Sequence, residues 1–137
     1  MSPNTILKII IVDDNSDDQY FIKDALSHFK NLRFESFYSP ENFIAYLGSL
    51  KADDLPDIVI MDINMPKLTG FEVIESIRKL DVKHKTKFFI LSSSITQKDQ
   101  ARCDQLNLDC FTKPYSPGQF RLTIQEILDL WEAKKAA

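Results

Sequence analysis

The sequence predicts an α/β fold, a doubly wound five-stranded parallel sheet with helices on both faces. Two observations lead to this prediction. First, five short apolar runs alternate with segments of helical periodicity, and regular β-α alternation implies parallel strands joined by right-handed crossovers. Second, the first and third runs are almost continuously apolar, as expected of strands covered on both faces.

The size of the chain suits one compact domain. With 137 residues, 44% of them hydrophobic, and only three glycines, it leaves little room for a second core. We therefore expect a single domain over residues 1–137, with its core at about residues 6–131.

Charge, cysteine content and the N-terminus indicate a cytoplasmic protein. The net charge of −3 does not favour binding to nucleic acid or to an acidic membrane surface. The first residues lack the pattern of a signal peptide, and the apolar run at 6–12 is too short to cross a bilayer. Cys103 and Cys110 form no C-x-x-C motif, which predicts two free thiols in a reducing compartment.

The first half of the chain contains two strands and two helices. The first strand spans residues 6–12, and Asn15 or Ser16 can cap the helix that follows. Residues 32–38 alternate between apolar and polar, which favours an edge strand. Ser39, followed by a proline, is a strong start signal for the second helix.

The second half contains three strands and three helices. A strand at 57–61 runs directly into Asp62, and the turn after it leads into the third helix. Residues 87–91 form the fourth strand, residues 96–106 a weaker helix and residues 109–112 a very short fifth strand. The last helix places its apolar residues on one stripe: Phe120, Ile124, Ile127, Leu128 and Trp131.

Chemically active residues follow four of these strands. In open α/β sheets, ligands bind beyond the carboxyl ends of the strands, where this chain has Asp13, Asp14, Asp62, Ser92 and Lys113. The carboxylates would raise one another's pKa unless a cation lay between them, and Mg²⁺ prefers such hard oxygen ligands. An aspartate can be a nucleophile that forms an aspartyl phosphate, while the lysine and the serine supply charge and a hydrogen bond to phosphoryl oxygens. Singly, each residue suits an ordinary cap or loop; together they predict one phosphoryl-transfer site.

These motifs, in this order and spacing, resemble those of a response-regulator receiver domain over about residues 6–131. They are the acidic pair Asp13-Asp14, the run at residues 60–66, Gly70 eight residues past Asp62, the hydroxyl of Ser92 and the Lys113-Pro114 pair. The resemblance implies a flavodoxin-like sheet of strand order 2-1-3-4-5 with five helices.

The resemblance also implies specific roles for the metal and phosphate ligands. Asp62 would be the phosphoacceptor. Mg²⁺, or Mn²⁺ in its place, would be bound by Asp14, Asp62 and the backbone carbonyl of Asn64, with Asp13 holding it through water. Ser92 and Lys113 would contact the phosphoryl group.

The same resemblance implies a signalling switch rather than an enzyme acting on separate substrates. The protein would catalyse its own phosphorylation and slow dephosphorylation. The donor would be a sensor histidine kinase or a histidine phosphotransfer protein, and the output an unidentified downstream protein. The switching surface would comprise helix four, strand five and helix five, a face that could also form a homodimer. A cis peptide would precede Pro114 and aim Lys113 inward.

One region departs from the family pattern. Receivers commonly have an aromatic residue three positions before the lysine, where this chain has Cys110, with Phe111 one place later. Either the usual aromatic coupling to the switch hydroxyl is absent, or the end of helix four has shifted and Phe111 is a core residue. Helix four has few apolar residues, which suits either a movable output element or an ordinary polar surface helix.

Three other functions are compatible with part of this pattern. A phosphatase with an aspartate nucleophile needs an acid two residues later, where this chain has Asn64. A flavodoxin-like electron carrier needs a phosphate-binding loop after the first strand, where Asp13 and Asp14 would repel the phosphate. A receiver-like module that binds partners without phosphorylation is the remaining alternative. Only residues 132–137 follow Trp131, so we expect no output domain.

Overall fold

The computed structural model describes residues 5–79 and 85–136, and within them strands and helices alternate regularly. The strands are β1 Leu7–Val12, β2 Leu32–Phe37, β3 Ile58–Met61, β4 Lys87–Ser92 and β5 Asp109–Thr112. The helices are α1 Ser16–Leu26, α2 Pro40–Gly48, α3 Gly70–Lys79, α4 Gln97–Leu106 and α5 Pro117–Ala136, with a short 3-10 turn at Ala52–Asp54.

The five strands form one sheet in the order β2-β1-β3-β4-β5. Every neighbouring pair is parallel, with Leu7 opposite Leu32, Ile9 opposite Ile58 and Phe89 opposite Asp109. The predicted fold class and strand order are therefore confirmed, and each strand lies within a residue of its expected bounds. The half-buried β2 is an edge strand, as its alternating sequence predicted.

Two apolar cores, one on each face of the sheet, fix the helices in place. Successive strand residues point to opposite faces, so Val12 and Met61 belong to the core beneath α2 and α3, whereas Ile11 and Ile60 belong to the other. The stripe on α5 closes the second core, where Phe120, Ile124, Ile127 and Trp131 are buried.

Helix starts follow the predicted capping chemistry. Oδ1 of Asn15 accepts a hydrogen bond from the Asp18 amide at 2.9 Å, so Asn15 is the cap of α1. Ser39 caps α2 through the Asn42 amide at 3.2 Å. These bonds satisfy amides that would otherwise have no partner in the helix.

Helix α4 is bound to β5 by a covalent link. Cys103 is the only buried residue of α4, and it forms a disulfide with Cys110 in β5, with 6.7 Å between their Cα atoms. The prediction of two free thiols is therefore wrong. Sequence spacing gave no sign of the pair, because a left-handed residue at Asn107 turns the chain back and brings the two cysteines together.

No helix in the described ranges is both long and apolar enough to cross a membrane. His28 is exposed beside Arg121, and His84 lies outside the described residues.

Candidate functional site

Sheet hydrogen bonding brings the predicted site residues together at one edge of the sheet, the edge formed by the carboxyl ends of the strands. Ser92 ends β4, while Asp13, Asp62 and Lys113 each lie one residue past a strand, where the ladder still holds the backbone. Asp14 lies two residues past β1. The Asp62 amide donates to the Val12 carbonyl at 3.0 Å, and the Lys113 amide donates to the Ser92 carbonyl at 2.8 Å. The backbone positions of Asp62, Ser92 and Lys113 are thereby set by the sheet rather than by flexible loops.

Three carboxylates meet at this edge. One oxygen from each of Asp13, Asp14 and Asp62 lies within 4.8 Å of the others. Asp13 and Asp62 are only 1% and 6% exposed, while Asp14 is open to solvent. Asn64 lies exposed in the loop two residues past Asp62.

The pKa of Asp13 reflects its burial and, to a lesser degree, this crowding. Burial raises its pKa from 3.8 to about 6, and the charge of Asp62 adds to that rise. Hydrogen bonds from Lys113 and from the Asn15 amide oppose the rise but do not cancel it. Burial disfavours the ionised form of this carboxylate, and a bound cation would stabilise that form.

Lys113 is the cation that the structure provides. Its Nζ lies 2.7 Å from Oδ2 of Asp13, 2.7 Å from Oδ2 of Asp18 and 3.5 Å from Oδ2 of Asp62. Burial lowers the pKa of Lys113, but the hydrogen bonds to Asp13 and Asp18 outweigh burial and raise it above its ordinary value. Lys113 is therefore held as a charged ammonium inside the site.

The peptide bond after Lys113 is trans, since the described chain contains no cis peptide. The prediction of a cis bond is wrong. A trans bond is the lower-energy form even before proline, and the lysine already reaches the carboxylates from it.

Two buried polar atoms face this edge without a partner among the described residues. They are Oγ of Ser92, whose residue is fully buried, and Oδ1 of Asp62. Buried polar atoms in proteins almost always have a hydrogen-bond partner. The two atoms therefore mark where a ligand's donors and acceptors would fit.

The donor set suits a hard divalent cation. Three carboxylates face one lysine, so this end of the sheet carries excess negative charge. Oδ1 of Asp62 also lacks a hydrogen-bond donor within residues 5–79 and 85–136. Oxygen ligands alone, without a nitrogen or sulfur ligand among the three, are the kind that Mg²⁺ or Mn²⁺ takes.

Position 70 requires a glycine because the chain there packs too closely on Asp62 to leave room for a side chain. A Cβ atom at this position would lie 2.3 Å from the carbonyl oxygen of Asp62 and 2.9 Å from Cγ of Met61. The Gly70 amide also donates to the Ile63 carbonyl at 2.9 Å. The glycine that the sequence singled out thus lets the start of α3 pack directly on Asp62.

Sequence reasoning missed two residues of the site, Asp18 and Gln19. Asp18 binds Lys113, as described above, and Gln19 is a fully buried amide whose Nε2 donates to the carbonyls of Asp13 and Phe37, both at 3.0 Å. Both lie in the first turns of α1, where the helix dipole alone is enough to explain an acidic residue. A glutamine directly before an exposed tyrosine gave no signal of burial.

The stretch before Lys113 lacks the usual aromatic arrangement. Cys110 packs against the core on the α4 side of the sheet and forms the disulfide, while Phe111 packs against the opposite core. Phe111 is therefore a half-buried residue that packs on this core, which favours the second of the two alternatives that the sequence left open.

Comparison with known proteins agrees with this geometry. Residues 9–125 match the family described as response regulator receiver domain. The chain is 28% identical over 118 residues to the sensor histidine kinase CheAY of Helicobacter pylori, covering 85% of this chain and 14% of that protein. It is 31% identical over 124 residues to histidine kinase P4 of Formosa agariphila, covering 88% of this chain and 8% of that protein. The chain thus spans a small part of the length of these curated relatives.

Solved structures share the fold. The phosphorylated cyanobacterial phytochrome response regulator RcpA superposes with a TM-score of 0.81 at 24% identity, covering 95% of this chain and 96% of that one. The Mn(2+)-bound form of response regulator Rcp1 gives 0.75 at 20% identity, covering 91% and 94%. With the family match over most of its length, the chain belongs to the response regulator receiver domain family.

Proposed function

We propose that the protein is a two-component signalling switch that accepts a phosphoryl group on Asp62 in a Mg²⁺-dependent reaction. The observation that carries this proposal is the setting of the Asp62 carboxylate. One oxygen lies 3.5 Å from Lys113 Nζ, the other has no hydrogen-bond partner in the described part of the chain, and two further carboxylates lie beside it. This arrangement offers a nucleophile, a fixed cation and a place for a metal.

In the proposed reaction, a carboxylate oxygen of Asp62 forms a bond to phosphorus while the bond from phosphorus to the donor's leaving atom breaks. For a phosphohistidine donor, that atom is an imidazole nitrogen, which takes a proton from solvent. Lys113 would stabilise charge on one phosphoryl oxygen and the Ser92 hydroxyl would donate to another.

The metal would be held by Asp14, Asp62 and the Asn64 carbonyl, with Asp13 acting through water. When bound, Mg²⁺ supplies charge that offsets the developing negative charge on the phosphoryl oxygens. Mn²⁺ would satisfy the same oxygen ligands.

The proposed partners are a sensor histidine kinase or a histidine phosphotransfer protein as donor, and an unidentified protein as the receiver of the signal. Phosphorylation would bias the surface formed by α4, β5 and α5 between two states. That the chain is a single domain over residues 1–137 stays a prediction, as does a homodimer through this surface.

Incubation with acetyl phosphate and Mg²⁺, followed by intact mass measurement, tests the proposal. We expect a gain of one phosphoryl group that EDTA prevents and that Asp62→Asn abolishes. The matched control is Asp53→Asn, which removes an exposed carboxylate from the 3-10 turn and should leave the gain unchanged. Phosphoramidate, which donates from nitrogen as phosphohistidine does, serves as the second donor.

An unmodified wild-type mass with both donors, together with no binding of beryllofluoride, would overturn the proposal. It would favour the alternative of a receiver-like module that binds partners without phosphorylation. A phosphoryl group that persists in Asp62→Asn would place the acceptor elsewhere.

A further inference from the structure

Asp18 shares the lysine that the phosphoryl group would need. Lys113 Nζ lies 2.7 Å from Oδ2 of Asp18, as close as it lies to Asp13, but 3.5 Å from Asp62. An ammonium has three donors, and two of them are engaged at short, charge-assisted distances on the α1 side of the site.

The position of Asp18 is fixed by the start of α1. Its amide donates to the side chain of the capping residue Asn15 at 2.9 Å, so its backbone is held in the first helical turn. The side chain is 23% exposed and points at Lys113, whereas the preceding residue, Asp17, is exposed and has no such contact. The contact with Lys113 is therefore particular to Asp18 and not a general property of an acidic helix start.

Because Nζ lies 3.5 Å from Asp62, its third donor reaches a phosphoryl group there only if the ammonium moves toward Asp62, and that movement lengthens at least one of the two short bonds. Asp13 is 1% exposed, and a buried carboxylate left without its cation carries a large desolvation cost. Asp18 is partly open to solvent, so water can replace the ammonium there at much lower cost. The bond between Lys113 and Asp18 is therefore the one that we expect to break.

We propose that Asp18 is a positioning residue that draws Lys113 away from Asp62 and thereby slows phosphoryl acceptance. This role rests on the proposed function of Asp62. Each acceptance event breaks the Asp18–Lys113 bond, and the Asp18 carboxylate also repels the incoming phosphoryl group. Loss of that carboxylate should let Nζ move to Asp62 and raise the rate of acceptance.

The test compares initial rates of phosphoryl uptake from acetyl phosphate at fixed Mg²⁺ and ionic strength. We expect Asp18→Asn and Asp18→Ala to react roughly fivefold faster than wild type, the factor set by about 1 kcal/mol for a partly exposed ion pair. Asp17→Asn is the matched control, because it removes the same charge from the same helical turn without touching Lys113, and its rate should match wild type. Asp18→Glu restores the carboxylate and should react more slowly than either Asp18→Asn or Asp18→Ala.

A structure of Asp18→Asn provides a readout that general destabilisation would not produce. The Lys113 ammonium should move to within about 2.9 Å of the Asp62 carboxylate, the usual distance for such a bond. Unfolding by urea should show the stability of this variant to be close to that of Asp17→Asn.

The outcomes separate this role from the proposed function. If wild type gains a phosphoryl group but Asp18→Asn reacts at the rate of Asp17→Asn, or more slowly, the role of Asp18 is wrong and the function of Asp62 stands. Acceleration in Asp18→Glu equal to that in Asp18→Asn would also overturn it, because the carboxylate would not be the cause. If wild type gains no phosphoryl group, both fail.

Discussion

Lys113 Nζ lies 2.7 Å from Oδ2 of Asp13, and only 5% and 2% of the two side chains are exposed. Even with this partner, burial keeps the pKa of Asp13 raised, at about 6. The lysine therefore offsets only part of the cost of burying the carboxylate. The remaining cost should appear as a dependence of folding stability on pH.

The first prediction concerns Asp13 in metal-free protein. Its pKa is higher in the folded chain than in the unfolded chain, so the folded state binds more protons between pH 3.8 and about 6. The Asp13 contribution to stability is therefore present below this window and is lost as pH rises through it. Asp13→Asn, which stays neutral, should gain stability relative to wild type across the window, on the order of 3 kcal/mol in total.

Urea unfolding of wild type and Asp13→Asn in EDTA at several pH values measures this difference. Asp53→Asn, on the exposed 3-10 turn, serves as the control and should differ little from wild type throughout. A constant difference between wild type and Asp13→Asn from pH 4 to pH 7 would contradict the raised pKa. Mg²⁺ should reduce the difference at pH 7, because it stabilises the ionised form.

The second prediction concerns Gly70. A Cβ atom there would lie 2.3 Å from the backbone oxygen of Asp62, and backbone cannot move aside as a flexible side chain can. Gly70→Ala should destabilise the fold by about 1–3 kcal/mol, the usual cost of overpacking. The measurement is urea unfolding, and a stability equal to wild type would contradict the close approach.

Gly118→Ala is the matched control for that substitution. Nothing lies within 4 Å of the Cβ that it would add in α5, and alanine favours a helix over glycine by up to about 1 kcal/mol. The two substitutions should therefore change stability in opposite directions, although their chemistry is identical.

The sequence allowed the fold and most of the site to be predicted because both depend on regular patterns. Apolar runs and capping residues gave the strands and helices, and parallel strands must deliver their carboxyl ends to one edge. Asp62, Ser92 and Lys113 thus lie at the carboxyl ends of neighbouring strands, as the β-α alternation of the sequence predicted. The metal and phosphoryl roles of these residues remain predictions.

Features that depend on side-chain contacts between distant segments were not predictable. The Asp18–Lys113 bond joins residues 95 apart in sequence, and neither residue type requires such a partner. The Cys103–Cys110 disulfide depends on the left-handed turn at Asn107, which spacing does not reveal. The trans bond before Pro114 reflects an energy difference too small for sequence to decide.

A third prediction concerns Gln19, the buried amide that joins the carbonyls of Asp13 and Phe37. Gln19→Ala would remove the amide donor of the Asp13 carbonyl beside the acidic cluster, while the Phe37 carbonyl would keep the Asp13 amide at 3.1 Å. We expect a loss of about 1–3 kcal/mol in unfolding free energy, the cost of unsatisfied buried groups. Gln125→Ala, which removes an exposed amide that donates to Asp129, should change stability by less than about 0.5 kcal/mol. Equal effects of the two substitutions in urea unfolding would contradict the stabilising role of the buried Gln19 amide.

The last prediction concerns the Cys103–Cys110 disulfide, which closes a short loop between α4 and β5. Protein purified without reductant should resist alkylation, and should take up two alkyl groups after unfolding in reductant. Because the cross-link restricts the unfolded chain, reduction should cost about 2.5 kcal/mol of stability in the chain-entropy estimate for so short a loop. The variant with both Cys103→Ala and Cys110→Ala should unfold identically with and without reductant. Two alkyl groups taken up by unreduced, denatured protein would contradict the disulfide. A reductant effect that persists in the double variant would assign the stability change to something other than the α4–β5 link.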